Sequence, residues 1–208
     1  MENLLAAPAA DGDAPPTDHR VRLMEGMVAA VDEKGYAATT IADIVRHARV
    51  SKRTFYEHFA DREQCFLACY AYASDLAMLA VRQAAESTQP WPRRVRAATH
   101  SYLATLQANA TLTRTLLVEV HAAGPRALAL RRTVLQRFAT LLCDLVEEGR
   151  RASPEVRALT PAMSTALVGG INELVLHTVE RGGDLTELEE TVAELVQAVL
   201  TPPPAPPG

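Results

Sequence analysis

The stretch from Thr39 to Phe59 constrains this chain more than any other, because it reads as two short helices joined by a tight turn. Thr40 stands where a helix N-cap belongs, and Asp43, three residues on, is placed to return a hydrogen bond in a capping box. Ile41, Ile44, Val45 and Ala48 then recur at helical spacing, so this helix has one apolar face. Ala48-Arg49-Val50 forms the turn. Ser51 is a second N-cap, and Val50 before it can staple the next helix to the core. Phe55 and Phe59 are the apolar side of that second helix, opposite Lys52, Arg53, Thr54, Tyr56 and His58. A helix this short is unstable alone and must lean on its neighbour. What it then turns outward is cationic, hydroxylic and aromatic, the chemistry that meets phosphates and base edges in a DNA major groove.

Composition and charge bound the rest. Hydrophobic residues make up 48% of the 208 and aromatics only 5%, and alternating Val/Ile/Thr runs closed by Asn-Gly or Asp-Gly are missing, which predicts an all-α fold. The net charge of −4 argues against a protein that coats nucleic acid without sequence preference. Residues 18–64 balance eight Lys/Arg against eight Asp/Glu, but Arg46, Arg49, Lys52 and Arg53 form a cationic cluster with no acid among them. A local patch is sufficient for a sequence reader that docks one helix. Cys65, Cys69 and Cys143 have no framework spacing and predict reduced thiols in a cytoplasm. The start lacks a basic region, so no signal peptide is expected, and no run of about 20 uncharged apolar residues suggests a membrane span.

Residues 1–16, rich in Ala, Pro and Asp, and the Pro-rich 201–208 are expected to be tails. A first helix is expected from about Asp18 to Lys34, capped by Thr17, stopped by Gly35, and burying Val21, Met24, Met27, Val28 and Val31. Asp61 is expected to cap a fourth helix reaching about Glu86, with Cys65, Cys69, Tyr72, Leu76 and Leu79 on one face. Gln89-Pro90-Trp91-Pro92 breaks it. Five further helices are expected at about 92–108, 111–122, 125–151, 155–181 and 184–200, with breaks at Asn109, Gly124-Pro125, Ser153-Pro154 and Gly182-Gly183. In the 125–151 helix, Leu128, Leu135, Phe138, Leu142 and Leu145 form the apolar stripe. About nine helices result.

At residues 39–63 the sequence resembles the tetracycline-repressor (TetR) family of transcriptional regulators. The matching types are Thr39-Thr40-Ile41, Ala48, Val50-Ser51, Thr54-Phe55-Tyr56, His58-Phe59 and Asp61-Arg62-Glu63, with Leu23-Met24 through Gly35-Tyr36 as the family's first helix and its stop. The resemblance covers about residues 18–70. This chain has Arg49 where the family's turn usually has Gly; in a left-handed conformation that residue would cost about 1 kcal/mol. Arg53 stands where Gly is common, Arg62 for Lys and Cys65 for Leu. The resemblance implies a three-helix DNA-binding domain over 17–68 and a helical regulatory and dimerisation domain over 69–200, the boundary falling along the fourth helix. It implies phosphate contacts at Thr40, Tyr56, His58 and Arg62. Lys52, Arg53 and Thr54 are the candidates for base edges, headed by Ser51, with Arg46 and Arg49 as auxiliary contacts.

The 155–181 helix is apolar almost all round, so it should face its own core and something else. With the last helix it is expected to pair with its copies in a twofold homodimer through Leu167, Gly170, Ile171, Leu174, Leu188, Val192, Leu195 and Val199. Gly169-Gly170 would permit close helix approach there. The resemblance also implies a small-molecule pocket. Trp91, His100, Tyr102, His121, Asn172, Glu173 and His177 are its candidate lining, being polar or aromatic groups inside apolar helices. With few aromatics and no charged cluster, the effector expected is lipophilic or weakly polar rather than a polyanion.

Other chemistries find little footing. The six His are scattered, Cys65 and Cys69 read as buried apolar-like groups, and no metal ligand set or cofactor motif is present. No nucleophile elbow or phosphate loop occurs, and Glu147-Glu148 and Glu189-Glu190 fit solvated helix faces, so no enzyme is expected. The expected function is a homodimeric, cytoplasmic regulator, a repressor released from a palindromic operator by an effector that tilts the fourth helix. Two alternatives stay open: a dimeric DNA-binding regulator without effector, and a helical ligand-binding or enzymatic protein that reuses the motif.

Overall fold

A computed structural model describes residues 18–86 and 89–201. The described residues form nine α-helices and no strand: α1 Asp18–Ala38, α2 Ile41–Ala48, α3 Lys52–His58, α4 Arg62–Ala85, α5 Trp91–Ala108, α6 Ala110–Glu119, α7 Pro125–Arg150, α8 Pro161–Glu180 and α9 Glu189–Leu200. The expected Thr17 cap, the 1–16 tail and residues 202–208 lie outside the described residues. Contacts gather the chain into two units. Of the described residues, the first takes in those up to Leu76 together with Asn109–Arg131; the second takes in those of Ala77–Ala108 and those from Arg132 to Thr201.

In the first unit the local signals act as the residues dictate. α1 loses helical geometry at Gly35 (φ 78°, ψ 158°), a left-handed φ that suits glycine. Thr40 caps α2 by accepting from the Asp43 N–H, and Asp43 accepts from the Thr40 N–H at 2.9 Å, completing the box. Arg49 closes α2 in the left-handed conformation (φ 53°, ψ 45°). Ser51 accepts from the Thr54 N–H at 3.0 Å to open α3, and Asp61 accepts from the Gln64 N–H at 2.7 Å to open α4. The core these caps frame contains Leu23, Met24, Met27, Ile44, Phe55, Phe59, Cys65 and Phe66, all at most 2% exposed. Val21 is only half-buried, while Leu23, outside the expected stripe, is fully buried. By length and composition α4 is apolar enough to cross a membrane (mean hydropathy 1.3 over its most apolar window). Part of its apolar surface is buried in packing, Cys65, Phe66, Cys69 and Tyr70 in the first unit and Ala77 and Ala85 in the second, while Leu67, Leu76, Met78, Leu79 and Val81 are half-buried.

The second unit departs from expectation in three places. The helix expected from 155 starts at Pro161, because Thr160 caps it by accepting from the Met163 N–H and Pro161 at the first position needs no partner for its nitrogen. Residues before it turn instead, burying Val156 and pairing the Arg157 N–H with the Leu200 carbonyl at 2.8 Å. The last helix opens with a 3-10 turn, Leu185–Leu188, capped by Asp184, before α9. The buried side of α7 in this unit is Val134, Ala139, Leu141, Leu145 and Val146; it shares Leu145 with the expected stripe, whose Leu135, Phe138 and Leu142 are half-buried. α6, in the first unit, ends at Glu119 and not at 122.

The backbones of α1 and α2 approach closely at Gly26 of α1. A Cβ there would stand 2.6 Å from the Ile44 carbonyl oxygen and 2.9 Å from the Ala48 nitrogen. Glycine to alanine in an open helix gains about 1 kcal/mol. At this crossing overpacking against backbone of about 1–3 kcal/mol outweighs it. Gly26→Ala should therefore lower the urea midpoint with an unchanged slope, and a raised midpoint would refute the crossing. The capping box predicts a pH response. The Lys34 ammonium, 2.6 Å away, and then the Thr40 hydroxyl and N–H hold the Asp43 carboxyl well below the usual carboxylate range. A folded-state value below the unfolded one means that this stabilisation is complete above the unfolded value and is lost as pH falls beneath it, below about pH 4. Denaturation between about pH 2 and 5 should show a shallower acid slope for Asp43→Asn than for the parent protein. Identical slopes would remove Asp43 from the acid response.

Candidate nucleic-acid interface

The α2–turn–α3 unit is held from behind by side chains that local patterns do not reveal. The Arg22 guanidinium donates to the Ala48 and Arg49 carbonyls at 2.7 and 2.9 Å, clamping the end of α2. Arg62 donates to the Tyr36 carbonyl at 3.0 Å and to that of Thr39, and its guanidinium lies 4.6 Å from the Tyr36 ring centroid. Arg62 thus faces the α1–α2 turn. The Thr39 hydroxyl donates to the Gly35 and Ala30 carbonyls. Sequence patterns missed Arg22 because its partners lie 26 and 27 residues away.

Phe55 is fully buried, so α3 must present its other side outward. Lys52, Arg53 and Tyr56 are exposed there, Tyr56 to 58%. The Thr54 hydroxyl shares a 2.9 Å hydrogen bond with that of Ser51. His58 is half-buried beside the His19 ring, 6.4 Å between centroids. The cationic cluster is less bare than its sequence suggests. Glu33 accepts from Arg46 at 2.9 Å and meets His47 at 2.8 Å, and these two partners, His47 first, hold its carboxyl below the usual range. Arg53 pairs with Glu57 at 3.1 Å. Among the described residues no acid pairs with Arg49 or Lys52. Exposed pairs such as Arg53–Glu57 contribute about 0–1 kcal/mol and open readily when a phosphate or base edge competes.

The seven candidate pocket residues divide between the two units, one in the first and six in the second. His121 belongs to the first unit and is exposed. His100 pairs with Glu189 at 2.8 Å and His177 with Glu173 at 3.5 Å, all on the surface side of their helices. Tyr102 stacks edge-on with Phe138, Asn172 is buried, and Trp91 packs against Gly149 with Arg94 over its ring. An open groove of about 740 Å³ lies elsewhere in the second unit, between α4 and α7. Met78, Leu79 and Leu141 form its apolar part; Arg82, Arg132 and Arg137 stand around it with Asp144. The charged cluster not visible in the sequence therefore exists in space. Of the candidate dimer residues, Leu167 and Val192 are in the protomer's own core, Ile171, Leu174, Leu188, Leu195 and Val199 are half-buried, and Gly170 is exposed with open space where a Cβ would stand.

Residues 25–69 match the family described as bacterial regulatory proteins, tetR family. No curated protein matches the chain. The fatty acid degradation regulator FadR from Bacillus halodurans is 21% identical, with 86% of this chain and 98% of that one superposed at a TM-score of 0.75. FadR from Bacillus subtilis, solved in complex with stearoyl-CoA, is 16% identical over 84% of this chain and 96% of its own, at 0.70. A regulatory protein in the tetR family from Rhodococcus RHA1 is 16% identical over 89% and 98%, at 0.70. At such identities the likeness bears on the fold, and the fold is theirs. The helix-turn-helix of α2 and α3 lies within residues 25–69, so that segment is a DNA-binding domain of the tetR type, carried on a chain with the fold of these regulators, and the protein is a DNA-binding transcriptional regulator.

Proposed function

We propose that the protein is a cytoplasmic, homodimeric repressor that docks two copies of α3 in successive major grooves of a near-palindromic operator. One observation carries this: α3 buries Phe55 and exposes Lys52, Arg53 and Tyr56 together on its outer side. Lys52, Arg53 and Thr54, with Ser51 at the head of the helix, face base edges. Thr40, Tyr56 and His58 hold phosphates, and Arg46 and Arg49 add auxiliary contacts. Arg62, turned onto the α1–α2 turn, serves the interface by holding that turn. The 17–68 segment is the DNA-binding module and 69–200 the regulatory and dimerisation part. The half-buried sides of α8 and α9 meet their copies in the dimer. A footprint on the DNA upstream of the protein's own gene should show a near-symmetric protected site at roughly physiological salt. Arg53→Ala should weaken that site by about 1–3 kcal/mol and random DNA by less. Equal loss on both would reduce Arg53 to a phosphate contact, and the absence of any protected site would count against the operator.

The effector we assign is an amphipathic anion with a long apolar part. The α4–α7 groove supports this, since Met78, Leu79 and Leu141 offer apolar surface beside Arg82, Arg132 and Arg137. Bacillus subtilis FadR, a protein of this fold, was solved with a ligand of that chemistry, stearoyl-CoA. Such a ligand releases DNA only through its different affinity for the two states of the protein. Stearoyl-CoA at about 100 times its Kd should raise the melting temperature by roughly 5–10 °C, and Arg132→Glu should shrink the shift. No shift with either stearoyl-CoA or palmitate would favour a regulator without effector.

A further inference from the structure

The DNA-binding unit does not end with the helix-turn-helix. Within the first unit, three polar links run from the 110–126 stretch to the DNA-binding helices. Arg114 pairs with Asp32 at 3.6 Å and Arg126 with Glu63 at 3.0 Å. The first pair is exposed and the second is partly so, with Glu63 half-buried, and such pairs hold little by themselves. The third link is of another kind. The Glu119 carboxylate, at the last residue of α6, accepts from the backbone N–H of Tyr36 at 3.0 Å. That N–H follows directly on Gly35, where α1 loses its helical geometry. A Cβ on Gly35 would lie 3.7 Å from one Glu119 oxygen, so the carboxylate sits against the break itself.

The peptide it grips leads straight into the reading head. The Tyr36 carbonyl accepts from Arg62 and from the Thr39 N–H, and the Tyr36 ring is buried against Phe66, 5.0 Å between centroids. Four residues after Tyr36 stands Thr40, the N-cap of α2. α2 in turn carries α3. We propose that Glu119 is a positioning residue for DNA docking: by fixing the Tyr36 N–H it sets the angle at which α2 and α3 leave α1, although it lies far beyond the segment that matches the family. The proposal rests on the operator reading given above. It makes α6 a strut of the DNA-binding unit, so that any displacement of α6 loosens the turn and blurs the presentation of α3.

The test uses the full-length chain. Glu119→Gln keeps an oxygen acceptor at the same reach, and Glu119→Leu removes it at similar size. Glu119→Asp keeps the charge, withdraws the oxygen by one methylene, and stands in should the leucine variant not fold. Hydrogen exchange at the Tyr36 amide and affinity for the footprinted operator are the readouts, with helical content as the control. Glu119→Leu should speed Tyr36 exchange and weaken operator binding by about tenfold at undiminished helical content. Glu119→Asp should lose about as much, and Glu119→Gln should stay within about threefold of the parent. Unchanged exchange or unchanged affinity in the leucine and aspartate variants would overturn the proposal, and so would equal loss in Glu119→Gln, which would assign the effect to charge. A parent protein with no operator would sink the operator reading separately, because Tyr36 exchange would still report whether the anchor exists.

Discussion

A seven-residue helix has no stability of its own, so α3 exists only because its two phenylalanines are buried against longer helices. Everything that makes the chain a DNA reader hangs on that burial. Phe55 and Phe59 turn one side of α3 inward, and the same rotation turns Lys52, Arg53 and Tyr56 outward. The crossing of α1 and α2 at Gly26 brings the Ala48 backbone close enough for α2 to serve as the prop. Caps then fix the ends: Thr40, Ser51 and Asp61 each satisfy an N–H that would otherwise point into the turns between helices. Packing supplies the stability and capping supplies the register.

What was legible in the sequence is what acts over a few residues. The caps at Thr40, Ser51 and Asp61, the stop at Gly35, the left-handed turn at Arg49 and the breaks at Gly124 and Gly182 all follow from short-range chemistry, and all stand in the fold. Thr160 was overlooked because Ser153-Pro154, a few residues earlier, sends the same kind of signal; the burial of Val156 and the pairing of Arg157 with Leu200 decide between them. The α7 stripe holds only in part, with Leu145 buried and Leu135, Phe138 and Leu142 half-buried, because the helix is apolar enough to offer two adjacent faces. Arg22, Arg62 and Glu119 act across 23 to 83 residues, and nothing in their neighbourhood marks them. The arginines around the α4–α7 groove come from two helices and become a cluster only in space.

The electrostatics of the candidate interface also differ from a sum over sequence. Arg46 and His47 share Glu33, and Arg53 leans on Glu57, so part of the cationic cluster is neutralised in the resting protein. Exposed pairs of this kind are weak and screened by salt. They dampen attraction to DNA at large without preventing a close, well-placed acceptor from displacing the acid. A net charge of −4 works in the same direction at longer range. Together they suit a protein that must find one site among many rather than cover them all.

Arg49 illustrates how a turn can acquire a charge. Its left-handed backbone (φ 53°) carries strain of about 1–2 kcal/mol that glycine would escape. Against this, a side chain narrows the range of shapes open to the unfolded chain, which favours the folded form by about 0.4–1 kcal/mol relative to glycine. The second term offsets only part of the first. A guanidinium therefore sits between the two helices of the reading head at a net cost smaller than the strain itself, on a backbone that the Arg22 clamp and the end of α2 hold in place.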